Sequence, residues 1–190
     1  HQLYFENLKN KPLYIVNGED DPLYPVSSVQ PFIDILKDME VHHVFTAIEN
    51  GGHNTRWMGD ETPKLEQFKL DNPRDPLPET LYWVADRTNR YNRNAWLRID
   101  ELDIEGRPGM LQVTRDGNAI DVASDRVNAF TLLLNPEEIN FAEPVQVNVN
   151  GIPLFNEIVV QNANTLLDWT EQNFDRETLF TAELKLRIAE

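Results

Sequence analysis

The stretch "DNPRDPLPE", residues 71–79, separates two regimes of hydrophobic period that no single regular layer can accommodate. It carries three prolines. Each fixes its own φ and biases the preceding residue toward extended backbone, so the stretch is stiff and continues neither a helix nor a strand ladder. Before it, short β-rich runs alternate with helical spacing; after it, apolar residues recur with a period of two. The pattern reads as residues 1–72 in one domain, a Pro-rich linker over 73–79, and residues 80–190 in a second domain.

In the first segment, "PLYIVNG" (12–18) and "VHHVFTAIENGG" (41–52) are β-rich runs closed by glycine. Between them, "SVQPFIDILKDM" (28–39) puts Val29, Phe32, Ile33 and Leu36 at i, i+3, i+4 and i+7, the stripe of an amphipathic helix. Pro31 is expected in its first turn, where no backbone donor is needed. Strand, helix, strand predicts a βαβ unit with parallel strands. "DETPKLEQFKLDN" (60–72) reads as a closing helix with Thr62 as N-cap, Pro63 at the first position, and Leu65, Phe68 and Leu70 inward. Parallel sheets are normally covered on both faces and have more than two strands, so this segment is expected to be the end of a larger parallel sheet.

Beyond the linker, "TLYWVADR", "NAWLRIDELDI", "MLQVTRDGNAIDVAS", "AFTLLLN" and "VQVNVNGIPLFNEIVV" are β-rich segments. Asp116-Gly117 and Asn150-Gly151 sit between alternating runs, the strongest short-range hairpin signal. "ANTLLDWTEQNF" predicts one short helix and "TAELKLRIAE", at 181–190, a final strand. Roughly six to eight hairpin-joined strands predict a compact β-sandwich-like domain.

Charge and composition narrow the partners. The net charge of −15, from 32 acids against 17 bases, repels phosphate backbones and anionic membrane surfaces, so neither nucleic acid nor such a membrane is an expected partner. A neutral or cationic small substrate fits better. The absence of cysteine removes disulfides, thiolate catalysis and thiolate metal sites, and is compatible with reducing and oxidising compartments alike. No run is long and apolar enough for a membrane helix, and "HQLYFENLKNK" lacks the regions of a signal peptide. His1, with no initiator methionine, is expected to be internal to a longer, bacterial, extracytoplasmic protein whose targeting segment lies upstream.

In open α/β sheets ligands gather at the carboxyl ends of the strands. "GEDDPLYP" (18–25) follows the first predicted strand and brings Asp20 and Asp21; "GGHNT" (51–55) follows the second and brings His53. A carboxylate that accepts one imidazole N–H fixes the tautomer and stabilises the imidazolium, leaving the other nitrogen to take a proton from a hydroxyl nucleophile. Acid before histidine is the chain order of α/β-hydrolases, with serine first.

These two stretches resemble the acid turn and the histidine loop of the α/β-hydrolases, in particular bacterial esterases and prolyl-oligopeptidase-like peptidases. The resemblance covers about residues 8–70. It implies Asp21 as the triad acid, with Asp20 as fallback, and His53 as the general base. It implies a fold class of α/β fragment, the last βαβα unit of an α/β-hydrolase parallel sheet, followed by an all-β sandwich-like domain, and no cofactor. The family's Gly-x-Ser-x-Gly is missing: the serines are Ser27, Ser28 and Ser124, none with glycines at the required positions. The resemblance therefore implies an ester- or peptide-cleaving serine hydrolase whose nucleophile and oxyanion hole lie upstream, with these 190 residues inactive alone and partnered by the missing N-terminal part. The exposed edge of "PLYIVNG" favours homo-oligomers or association with that part.

The alternative is a noncatalytic β-sandwich module for interaction, carbohydrate or another substrate. Its candidate face combines Tyr82, Trp83, Tyr91 and Trp96 with Arg87, Arg90, Arg93 and Arg98, although alternate aromatics in a sandwich are more often core. His42 and His43 are adjacent on a strand, point to opposite faces and do not share a metal easily. Glu19, Asp20 and Asp21 lack the alternate spacing and sixth-position glycine of a calcium loop. Trp57 is a candidate for the mouth of the active site, or for helix packing.

Overall fold

The computed structural model describes residues 3–188. His1, and the last two residues of the strand expected over 181–190, lie outside the described residues. The chain divides into two compact units, 1–74 and 75–190.

The first unit opens with a 3-10 helix, Phe5–Asn10, followed by β1 (Leu13–Gly18), α1 (Val26–Asp38), β2 (His43–Ile48) and α2 (Met58–Asp71). β1 and β2 pair in parallel, in register from Leu13 opposite His43 to Gly18 opposite Ile48. Alternation sends Leu13 and Ile15 to one face of this pair, where they pack with Ile33 and Leu36 of α1. Tyr14 takes the other face, its ring 5.2 Å from that of Phe68 on α2.

Both helices begin earlier than their sequence signals suggest. α1 starts at Val26, so Pro31 lies inside the helix rather than in its first turn, and Phe32 is 53% exposed instead of inward. α2 starts at Met58. Thr62 therefore does not cap it but donates its hydroxyl to the Met58 carbonyl, Pro63 is interior, and Leu70 is 75% exposed.

The second unit holds the remaining strands: β3 (Thr80–Ala85), β4 (Arg93–Asn94), β5 (Leu97–Leu102), β6 (Gly109–Asp116), β7 (Ala119–Asp125), β8 (Val127–Leu134), β9 (Val145–Val149), β10 (Ile152–Glu157) and β11 (Ala182–Arg187), with α3 (Ala163–Asn173) before the last. They form a five-stranded sheet, β10-β9-β7-β6-β3, and a four-stranded sheet, β11-β8-β5-β4. Every pairing is antiparallel except β7 with β9. Leu111, Val113, Ile120 and Val147 of the first sheet share one buried cluster with Leu97, Ile99, Phe130 and Leu132 of the second.

Turn chemistry fixes two hairpins. Asn150 and Gly151 both have positive φ, 51° and 78°, in the two-residue loop between Val149 and Ile152, the backbone of a type I′ turn. The β6–β7 loop is Gly117-Asn118, one residue later than the Asp-Gly signal, because Asp116 still pairs with Ala119.

The expected fold class is therefore corrected. The chain is β-rich, 35% strand and 24% helix, and its described residues form three sheets with no α/β-hydrolase parallel sheet and flanking helices among them. The parallel sheet ends at two strands. A single βαβ periodicity is the same whether the unit closes on itself or continues a larger sheet, so the sequence pattern could not decide the extent of the sheet.

Candidate acid–base site

Each strand of the first unit ends in a loop, and parallel pairing puts both loops on one edge of the sheet. Two backbone bonds join them: the Glu19 N–H donates to the Ile48 carbonyl at 2.9 Å and the Asp20 N–H to the Gly51 carbonyl at 2.8 Å. Glycine makes this approach feasible. A Cβ on Gly18 would lie 2.4 Å from the Gly51 carbonyl oxygen and 2.7 Å from that of Gly52. A Cβ on Gly51 would likewise lie 2.9 Å from the Ile48 carbonyl oxygen.

The clamp brings Asp21 and His53 together. His53 Nδ1 lies 2.9 Å from Asp21 Oδ2. The other carboxylate oxygen, Oδ1, accepts the backbone N–H groups of Leu23 at 2.8 Å and Tyr24 at 3.0 Å. Both oxygens are committed, which fixes the carboxylate plane and assigns the Nδ1 proton to the side of Asp21. The side chains differ sharply in exposure, 9% for Asp21 and 54% for His53. Burial pushes the Asp21 carboxyl up, but the Tyr24 amide, the His53 ring and the Leu23 amide together bring it below its ordinary 3.8. The pair thus joins a carboxylate favoured in its ionised form to an imidazole that reaches solvent, the arrangement of an oriented general base.

Asp20, the fallback acid, is exposed and contributes its backbone to the loop clamp. Two further residues complete the acid turn, and neither stands out in the sequence. Asn17 donates from Nδ2 to the carbonyls of Gly18 at 2.9 Å and Tyr24 at 2.7 Å. The Tyr24 ring lies beside the His53 ring, centroids 6.1 Å apart at 44°. The only signal for Asn17 is an asparagine within a strand, where that residue is disfavoured.

Trp57 lines a groove of about 230 Å³ with Tyr14, Val16, Met58, Glu61 and Leu65. Glu61, only 5% exposed, accepts from the Tyr14 hydroxyl at 2.9 Å and from the Lys64 ammonium. Lys64 holds the Glu61 carboxyl below its ordinary 4.5 against the opposing effect of burial, and Tyr14 adds to the lowering. Glu61 is a second buried acid that sequence periodicity missed.

Most of the other nominated groups go elsewhere, whereas Arg90 lies over the Tyr91 ring, 5.6 Å from its centroid. His43 Nδ1 lies 2.7 Å from the Val41 carbonyl and His42 packs near Phe68, rings 6.1 Å apart. Among the described residues no cluster of three or more His, Asp or Glu could hold a metal, and no helix is long and apolar enough to cross a membrane. In the second unit Trp96 is buried, its indole donating to the Pro78 carbonyl, and Trp83 donates to the Tyr91 carbonyl. Arg93 and Arg98 lie instead over Trp169 of α3, at 4.7 and 5.7 Å from its ring centroid. Comparison of the chain with family models, curated proteins and solved structures found no match.

Proposed function

We propose that this chain supplies the acid and the general base of a serine hydrolase acting on ester or peptide bonds, with the nucleophilic serine contributed by polypeptide outside these 190 residues. The observation that carries this reading is the Asp21 carboxylate, anchored by two backbone amides through one oxygen and joined to His53 Nδ1 through the other. In this reading His53 Nε2 takes the hydroxyl proton as the serine oxygen attacks the carbonyl carbon, while Asp21 stabilises the imidazolium. His53 then returns the proton to the leaving alcohol or amine as the carbonyl–heteroatom bond breaks. Water repeats the cycle on the acyl-enzyme, releasing the acid and restoring the serine. Ser28 serves a different purpose, its hydroxyl donating to the Pro25 carbonyl at 2.8 Å.

The test uses a protein in which this chain is joined to its upstream sequence. A fluorophosphonate probe is expected to label a serine there and to leave the 190-residue chain unlabelled. Asp21→Asn, which keeps the shape but loses the charge, is expected to lower kcat by on the order of 10⁴-fold, and His53→Ala to abolish labelling at neutral pH. Full turnover in His53→Ala would end this reading.

A further inference from the structure

The two halves of the acid turn are secured differently. Its first half is tied to the histidine loop by the Glu19 and Asp20 amides. Its second half converges on Tyr24, which uses three groups at once. The Tyr24 N–H donates to Asp21 Oδ1 at 3.0 Å, its carbonyl accepts from Asn17 Nδ2 at 2.7 Å, and its ring flanks His53. If the Asp21 carboxylate alone held Tyr24, the turn would depend on the group it is meant to orient. Asn17 breaks that circularity from the end of a paired strand.

We propose that Asn17 is a positioning residue for the Asp21–His53 pair, acting through Tyr24. Both hydrogens of one amide nitrogen are used, on carbonyls six residues apart in the chain. Aspartate and leucine have similar size and donate nothing, serine and threonine donate once, and glutamine places its amide one methylene too far. Asn17 also occupies a strand position, in register with Ala47, where its intrinsic preference is unfavourable, so the side-chain strap rather than propensity accounts for its place. The inference rests on the proposed hydrolase only for its catalytic consequence; the orientation of the pair belongs to this chain.

The experiment is nitrogen-15 NMR on the 190-residue chain. The unaltered protein is expected to show a strongly downfield His53 Nδ1 proton and Asn17 side-chain amide protons that are inequivalent and slow to exchange. Asn17→Ala and the isosteric Asn17→Asp are each expected to lose the His53 resonance while the amides of β1, β2 and α1 keep their dispersion. Tyr24→Phe, which keeps the backbone strap, is expected to retain it. A His53 resonance that persists in either folded Asn17 variant overturns the proposal. So does an Asn17 amide exchanging at the free rate in the unaltered protein, a result that requires no variant to fold. In the nucleophile-bearing protein Asn17→Ala is expected to lower kcat about 10²-fold with KM little changed. If turnover there proves independent of His53, the hydrolase reading fails while the NMR result still decides the role of Asn17.

Discussion

At the scale of single residues, Gly18 sets how closely the two loops can approach. Any Cβ there meets the Gly51 backbone, which cannot rotate away as a side chain could. Gly18→Ala is expected to destabilise the chain by about 1–3 kcal/mol, the range for forced overpacking, and to separate Asp21 from His53. Urea unfolding together with the His53 Nδ1 resonance checks both; an unchanged resonance would show that the loops can shift without losing the pair. Asp21 adds a pH dependence. Its carboxyl titrates below the ordinary value in the folded chain, so the unfolded chain binds more protons near pH 4 and stability rises with pH there. The contribution is complete above the ordinary value of 3.8 that the unfolded chain takes, and is lost as pH falls through the lower folded pKa. Asp21→Asn is expected to flatten the acid limb of a stability–pH curve; an equally steep limb would assign the effect elsewhere. That Asp21 and His53 lie on neighbouring loops could be read from sequence, because two parallel strands put the turns that follow them on one edge. Asn17 and Tyr24 could not, because their roles arise only when an amide at 17 meets a carbonyl at 24.

At the scale of elements, α1 ends in a motif whose residues can be named in full. The Val41 N–H reaches the Leu36 carbonyl, the Glu40 N–H reaches that of Lys37, and Glu40 sits at φ 57° between them. This is the Schellman pattern, with Leu36 and Val41 buried together as its apolar contact. Glutamate occupies the left-handed position that favours glycine. Glu40→Gly is expected to stabilise the chain by about 1 kcal/mol by relieving that conformation; a lower denaturation midpoint would mean that the glutamate side chain contributes more than its backbone strain costs. The same elements show why boundaries are harder to read than identities. The Val29, Ile33, Leu36 stripe correctly indicates a helix, but Pro31 and Thr62-Pro63 mimic start signals inside helices that already exist. The Asn150-Gly151 turn was readable because both residues tolerate positive φ, which leaves little choice of backbone. The parallel return of β9 beside β7 has no comparable local mark, since it depends on a connection that passes through β8 in the other sheet.

At the scale of the whole molecule, the two units differ greatly in what holds them. Among the described residues the first has three buried apolar core residues, Ile33, Leu36 and Val41, whereas the second buries a continuous cluster running from Leu77 to Leu186. Small domains bury a low fraction of their unfolded surface, and below about 80 residues one core rarely supplies more than about 3–5 kcal/mol. The second unit also seals β8 on both faces. Phe130, Leu132 and Leu133 are each at most 2% exposed, and Trp169 of α3 adds a buried aromatic that meets Phe180 edge-on at 6.4 Å. Residues 75–190 expressed alone are therefore expected to unfold in one cooperative transition, with near-ultraviolet circular dichroism from their buried tryptophans. Residues 1–74 alone are expected to be marginal, melting broadly or only partly folded at room temperature, because two strands and so small a core offer little against chain entropy. Cleavage within the proline-rich stretch should leave the second unit resistant to further digestion. Rapid degradation of that fragment, or sharp cooperative melting of residues 1–74, would show that stability is distributed differently from burial. The result also bears on chemistry, because a marginal first unit carries the Asp21–His53 pair, and stabilising changes such as Glu40→Gly can then be separated from changes at the pair itself.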